Sequence, residues 1–592
     1  MGSKLTTSQD VLILEEKIDK PVSDFDHVFS FRANSANSFP DHYMTQAEAD
    51  VIYEETYEAM CDYLRKYTLK SVFVYRGIDL LWCFKKALFE YAYLGRVRYE
   101  LFKSVRAKHP SSQFHLCNGS AETRGPRLSE ILEASPLREI SDIHRLEESL
   151  PAAPDKKSQN RNGRRIAFPS FLTLGNLGKC KTAVFYDLKK SQNILKQLKP
   201  HGCVLFSNSE PRRTLLRTLV QSLPLCQLTY HSRQAARYHE AADSFHAKLS
   251  RYKLFDDFIL DDLAWEKLLG ERLKQLFEFE LAKLLFEIDQ THRFFKKAHA
   301  LKTVLLDEDI SSSKIAFCQI ARQYQVSTFV ECHGLIGGKH GFVPLNADKI
   351  FVWGRAQKSK LTKWGCPEGK IIVSGHSRYG QYQQMDGKAL RQKVSKKFGL
   401  NPNQKIALFA FPPITHSWFL IFEHKMKQII LETLETATQL LQEHTDLQIV
   451  LKIHPADQEK AFYRGWVKKN NTSNRFVAIE NYDPLILAKA VDFLVVYGST
   501  YAVDGFAMGK PVIVLHDDSW FFEEFREFSV FTYANSANEF KNAVLQLIKS
   551  PEMRSTRWDE ARRECLNEGD RDPEELIASY LTQGIALEQA TR

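Results

Sequence analysis

None of the ten cysteines stands in a C-x-x-C pair, which argues against a paired-thiol zinc site and against thioredoxin-like redox chemistry. Their scatter gives no disulfide framework either, so reduced thiols in a cytoplasmic setting are expected. No run of about 18 consecutive apolar residues occurs, so no membrane-spanning helix is expected. No apolar h-region follows the amino terminus, so no secretory signal is read there. The G-x-x-x-x-G-K-[ST] spacing is missing, which excludes a Walker phosphate loop. Internal repeats and low-complexity tracts are lacking as well. Charge of one sign is scarce: 81 Lys and Arg against 72 Asp and Glu leave a net +9 over 592 residues. That excess suits anionic ligands or lipid head groups and calls for no nucleic acid.

What is present reads as an ordinary globular composition, 44% hydrophobic and 26% charged. Hydrophobic cores stop growing at roughly 250–300 residues, so this chain needs two or three domains. Residues 1–165 form an aromatic-rich extension and linker. Within it, residues 76–108 have a helical pattern in which Trp82, Phe84, Phe89, Tyr91, Tyr93, Tyr99 and Phe102 interleave with Lys85, Lys86, Arg96, Arg98, Lys103, Arg106 and Lys108. Such a helix either lies on an anionic membrane surface or, more simply, packs on its own domain with its cations wet. Residues 151–165 have little to bury and mark the linker.

From 166 to 398, strands at 182–186, 203–206, 303–306, 327–331, 350–353 and 371–373 alternate with helices at 189–198, 212–223 and 313–323. A long helical insertion at 237–300 interrupts them. From 399 to 592 a fresh series begins, with strands at 406–411, 448–453, 475–479, 493–496 and 511–515 and helices at 423–443, 484–489 and 501–508. The chain then reads as helical from 518 to its end, with a terminal helix returning across the preceding domain. Alternation of this kind predicts an α/β protein with two doubly wound, Rossmann-like domains.

Open α/β sheets bind ligands in the crevice beyond the carboxyl ends of their strands, and the polar motifs stand at such ends. Gly498, Ser499 and Thr500 run from a strand into a helix, a turn able to hold an anion, with Asp504 one helical turn further on. The plain alternative is an ordinary N-cap with a solvated aspartate. His454 ends a strand before Pro455 and can donate to a phosphate oxygen. Asp307, Glu308 and Asp309 follow one strand and His333 ends the next, all candidates for a general base. Gly334, Gly337, Gly338 and Gly341 surround Lys339 and His340 in a loop open to close backbone approach, read as an acceptor or phosphate loop. Arg378 follows another strand and suits bidentate phosphate pairing, or equally an interdomain salt bridge.

Taken in order, His333-Gly334, Trp353-Gly354, Gly375 to Arg378, Lys452 to Pro455, Ser499 to Asp504 and Gly509-Lys510-Pro511 resemble the GT-B transferases of bacterial surface-polysaccharide synthesis. That group takes in capsule and O-antigen glycosyltransferases, HP-motif sialyl- and Kdo-transferases, and CDP-glycerol glycerophosphotransferases. The resemblance spans roughly residues 300–520. It implies that residues 166–398 face the acceptor and residues 399–592 the nucleotide donor. It also implies that His333 lies on the acceptor side, that His454, Ser499 and Thr500 hold the donor phosphates, and that Asp504 meets the ribose. Ser377 and Gly380 depart from the G-x-P-R-x-D pattern around Arg378. Tyr497-Gly498-Ser499-Thr500 departs from the teichoic-type Asp-Tyr-Ser-Ser turn. The implied protein is a metal-independent glycosyltransferase without a cofactor, moving a sugar from a nucleotide-sugar donor to a glycan or lipid-linked glycan of the cell surface. Its implied place is the cytoplasm, with peripheral association at the inner face of the cytoplasmic membrane. The alternatives are a CDP-glycerol or CDP-ribitol phosphotransferase, a UDP-GlcNAc 2-epimerase-like enzyme and a non-catalytic GT-B scaffold.

Overall fold

A computed structural model describes residues 10–14, 25–31, 38–68, 72–117, 125–139, 143–146, 169–170, 180–185, 188–201, 204–207, 222–227, 232–249, 251–252, 254–332, 334–413, 423–457, 459–471, 474–516, 522–550, 555–568 and 571–583. The linker expected at 151–165 and His333 lie outside the described residues.

Apolar runs of three to six residues form the strands, as runs buried on both faces do. Eight strands build the middle sheet, in the spatial order Ile371–Val373, Lys349–Val352, Ser327–Glu331, Thr303–Leu306, Thr182–Phe185, Val204–Ser207, Ser222–Gln227 and Pro169–Ser170. Only the last pairs antiparallel. Six parallel strands build the second sheet, in the order Phe476–Ile479, Leu447–Lys452, Lys405–Ala410, Phe493–Tyr497, Val512–Leu515 and Thr532–Ala534. In each, the chain runs outward on one side of a central strand and then crosses to its other side. The switch points therefore fall between Thr182–Phe185 and Thr303–Leu306, and between Lys405–Ala410 and Phe493–Tyr497. The expected pair of Rossmann-like units is present.

Several expectations are corrected. Residues 222–223, read as the end of a helix, open the strand Ser222–Gln227. Thr532–Ala534 is a strand inside a stretch read as helical, because pairing with Val512–Leu515 outweighs the local pattern of three residues. The region read as an extension has its own parallel sheet, ordered His27–Ser30, Asp10–Leu14, Gln113–Cys117 and Ile143–Leu146. Its helix Lys85–Lys108 buries Lys85, Arg96 and Arg98 along with its aromatics, so packing, not a membrane surface, explains the interleaved pattern. Arg96 Nε donates to Asp261 at 3.0 Å and its Nη2 to Glu55 at 2.9 Å, tying this helix to the helical insertion. No helix among the described residues is long and apolar enough to cross a membrane. Cys180 is disulfide-bonded, which corrects the expectation of reduced thiols throughout; spacing along a chain does not report which Cα atoms the fold brings together. Cys61, Cys83, Cys318, Cys332, Cys366 and Cys565 are free and buried.

The terminal helix Pro573–Gln583 does return to the middle sheet. Ile577, Ala578 and Leu581 join a core with Val184, Leu305, Phe329 and Phe351, and Thr182 Oγ1 donates to the Leu581 carbonyl at 3.2 Å. At the start of this helix Glu574 is 5% exposed and accepts from Asn193 Nδ2 at 3.0 Å. Burial first, then neighbouring Asp572, push its carboxyl from an ordinary 4.5 up to about 8. A native group that holds its proton this tightly favours folding below its unfolded pKa and loses that contribution as pH rises through the native value. Docking of the terminal helix is therefore expected to weaken as pH rises from about 4.5 through about 8. Glu574→Gln should flatten that dependence in thermal melts across the window; identical pH profiles in the two proteins would refute it.

Candidate functional site

Register places the polar motifs on two sheet edges. Leu306 lies opposite Val330, Glu331 opposite Phe351 and Val352 opposite Val373, so Asp307, Glu331 and the turn after Val373 share the carboxyl edge of the middle sheet. Ala410 lies between Lys452 and Val496, so Lys452, His454 and the Gly498 to Thr500 turn share the carboxyl edge of the second sheet, at its switch point. The two edges meet. A Cβ at Gly334 would stand 3.6 Å from Thr500 Oγ1, and Tyr379 donates its hydroxyl hydrogen to Asp504 Oδ1 at 2.9 Å. Beside that bond Tyr382 donates to Asp483 Oδ2 at 2.8 Å. Asp483 Oδ1 caps the helix Pro484–Ala490 by accepting from Leu485 and Ile486.

On the second-sheet side, Gly498 adopts φ +41°, a left-handed value that favours glycine. Ser499 Oγ accepts from the Tyr501 backbone N–H at 3.2 Å, so this hydroxyl closes the turn just before the helix Tyr501–Ala507, while Thr500, its N-cap residue, makes no side-chain cap and faces Gly334. Asp504 is 7% exposed and turns one oxygen to Tyr379 rather than to solvent. His454 is exposed, and its Nδ1 accepts from Ala456 N–H at 3.1 Å, which leaves the proton of the neutral ring on Nε2. Lys452 is half-buried; burial lowers its ammonium pKa, against the pull of Asp504 and Asp483. The Arg378 charge acts on Tyr379, Tyr382 and Tyr501, whose hydroxyls burial pushes above their usual range.

On the middle-sheet side, the three candidate carboxylates separate. Glu308 closes the turn before the helix Ser312–Gln323, accepting from Ile310 N–H at 2.7 Å and Ser311 N–H at 2.9 Å. Asp309 is 3% exposed and accepts from the backbone of Asn346 and Ala347 at 2.6 and 2.8 Å. Burial raises its carboxyl to about 6 against the effect of those N–H groups and Lys85. Asp307, half-exposed, pairs with Lys314 Nζ at 2.8 Å. The glycine loop is likewise committed. A Cβ at Gly338 would meet Tyr53 Oη at 2.7 Å, and Lys339 Nζ pairs with Glu54 at 2.5 Å and Glu58 at 2.8 Å. Gly338 thus lets the loop dock on the helix Gln46–Thr68, and the Lys339 charge is neutralised there.

Several residues of this edge escaped the sequence reading. Glu331 is fully buried, and its Oε1 accepts from Ser377 N–H at 3.1 Å and approaches His376 Nδ1 at 3.3 Å. Burial alone would raise its carboxyl, but His376 and Ser377 more than offset that and hold it below the ordinary value. Trp353 stacks on His376 at 4.8 Å and 7°. Glu331 therefore anchors the turn that presents Arg378. Its Oε2 and Ser377 Oγ are buried without a hydrogen-bond partner. A glutamate ending an apolar strand was the signal available. Tyr379 and Tyr382, three residues apart just after Arg378, were another.

Two facing carboxyl edges lined by Arg378, Lys452, His454 and several hydroxyls suit a ligand that is both phosphorylated and rich in hydroxyl groups. Residues 420–543, most of the second sheet, match the family described as capsule polysaccharide biosynthesis protein. The resemblance to proteins of surface-polysaccharide synthesis is borne out over that segment. No curated protein sequence matches the chain. Among solved structures, the chain is similar to UDP-GlcNAc 2-epimerase from Neisseria meningitidis bound to UDP-GlcNAc, with 13% identity, 68% of this chain and 100% of that one covered, and a TM-score of 0.43. It is also similar to UDP-GlcNAc 2-epimerase from Methanocaldococcus jannaschii (12% identity, 68% and 100% covered, TM-score 0.44) and to a glycosyltransferase from Rickettsia africae ESF-5 (12% identity, 69% and 98% covered, TM-score 0.42).

Because Lys339 is held by two carboxylates 42% and 64% exposed, Lys339→Ala is expected to cost about 0–1 kcal/mol per lost pair. It should leave nucleotide-induced thermal shifts unchanged. A lost shift would return Lys339 to the ligand site.

Proposed function

We propose that this protein is a glycosyltransferase moving a sugar from a nucleotide-activated donor to a cell-surface polysaccharide or lipopolysaccharide acceptor, free or lipid-linked, at the inner face of the cytoplasmic membrane. The supporting observation is the meeting of two carboxyl edges, Gly334 against Thr500 and Tyr379 on Asp504. In this reading Arg378, Lys452 and the Nε2–H of His454 stabilise charge on the departing phosphates, a term of several kcal/mol in such chemistry, without a metal. Ser499 shapes the turn, Thr500 lines the cleft, and Asp504 holds Tyr379 at the ribose side. With Glu308 and Asp309 engaged in backbone hydrogen bonds, the acceptor base is Asp307 or His333.

A thermal-shift series with CMP, CDP, UDP and GDP on the full chain tests this first. A ligand at 100 times its Kd adds about 2.7 kcal/mol, and Arg378→Ala and His454→Ala should each reduce the shift while leaving the unliganded melting temperature near that of wild type. Product analysis follows: sugar transfer without donor phosphate supports the reading, phosphate in the product replaces it with phosphotransfer, and epimerised free sugar nucleotide replaces it with epimerisation. Absence of any nucleotide-induced shift leaves the scaffold.

A further inference from the structure

The segment Pro40–His42 of the N-terminal region and the start of the helix Glu423–Glu443 in the second sheet's domain approach each other. There Asp41, His42 and His424 each bring one ligand-type atom to a common point, all within 4.8 Å of one another. Asp41 and His424 have side chains only 12% and 22% exposed. Asp41 Oδ1 and His424 Nδ1 are buried and neither has a hydrogen-bond partner.

Their separation is the informative quantity. The two atoms stand 3.6 Å apart. A charge-assisted hydrogen bond between imidazolium and carboxylate closes to about 2.7–2.9 Å, so this pair is too wide for one. Two ligands at about 2.0–2.1 Å from a tetrahedral zinc ion lie about 3.4 Å apart, close to the observed gap. Leaving two polar atoms buried and unpaired is costly, and a cation between them removes that cost on both at once. Phe39 stacks on His424 with centroids 3.7 Å apart and planes at 6°, fixing the imidazole plane. His42, the exposed member, offers a third ligand atom from the solvent side.

We propose that Asp41, His42 and His424 bind a divalent cation of the zinc class, clasping the N-terminal region to the domain of the second sheet. Two imidazoles and one carboxylate favour such a borderline-soft ion over calcium or magnesium, which prefer all-oxygen shells. The clasp joins residues about 380 positions apart in sequence, where closing a long loop gives a cross-link its largest entropic effect. It lies outside the residues assigned to the cleft, and no step of the proposed transfer runs through it.

The test uses the full chain, stripped with a chelator and titrated with Co2+ as a spectroscopic probe and Zn2+ as competitor. Wild type should take up one equivalent of Co2+ with the intense visible absorption of a four-coordinate site, displaced by Zn2+ and insensitive to Mg2+. Asp41→Asn and His424→Gln, chosen to preserve volume, should each weaken binding by about 100-fold or more, since even outer-shell changes cost about 10–100-fold. His42→Ala, at an exposed position, should weaken binding without affecting folding, which keeps the test decisive if a buried variant fails to fold. Hydrogen exchange around residues 39–44 and 424–430 should slow on Zn2+ addition. Wild type that binds no stoichiometric Co2+, or binding that His42→Ala and His424→Gln leave intact, would overturn the proposal.

Discussion

The hydrogen bond from Tyr379 to Asp504 joins the two sheets at the level of their carboxyl edges, and much of the cleft depends on it. A buried phenol and a buried carboxylate are each costly away from water unless paired. With Asp504 7% exposed and Tyr379 3% exposed, neither can open to solvent without losing its partner. The bond also aligns its neighbours. Tyr379 begins the short helix that carries Tyr382 to Asp483, and Asp504 belongs to the helix that follows Thr500. One contact thus fixes the spacing between Arg378 on one edge and Thr500 on the other.

A second layer of constraint lies behind that contact. Glu331 grips the backbone of Ser377 and the ring of His376 at the end of the middle sheet, so the residue that presents Arg378 is held by a strand rather than by a free loop. Sites built on strand ends hold geometry better than sites built on loops. The returning helix Pro573–Gln583 adds to this. A Cβ at Gly375 would meet Pro573 Cγ at 2.8 Å, so the turn before Arg378 is wedged between Glu331 and the carboxyl-terminal helix. Chain that is distant in sequence thereby supports the cleft.

How much of this was legible follows from what each feature depends on. The strands at 303–306, 327–331 and 371–373 could be read because short apolar runs between polar residues have few alternatives. Placing His454, Ser499 and Arg378 at carboxyl edges then needed only the parallel topology. The partners of Lys339 and Asp309 could not be read. Glu54 and Glu58 are more than 280 residues from Lys339, and Asn346 lies 37 residues beyond Asp309 across a loop. Charge in a glycine-rich loop looks the same whether it faces a ligand or a helix. The sheet formed by Asp10–Leu14 and His27–Ser30 was missed for a related reason: four- and five-residue strands amid aromatic and charged residues carry too little periodicity, and their pairing supplies the stability.

Burial sorts the polar residues of the cleft by what they can do. Asp309, Glu331 and Asp504 are buried and hydrogen-bonded. Their hydrogen bonds lie inside the protein, where a low dielectric strengthens each contact, and each holds another segment in place: Asp309 the backbone of Asn346 and Ala347, Glu331 the turn at Ser377, and Asp504 the Tyr379 hydroxyl. His454 is exposed and Lys452 half-buried, while Arg378 is only partly covered and acts on three tyrosines at the interface. These three stand less deeply buried than the carboxylates. The edge therefore separates buried carboxylates from a more exposed set of basic side chains.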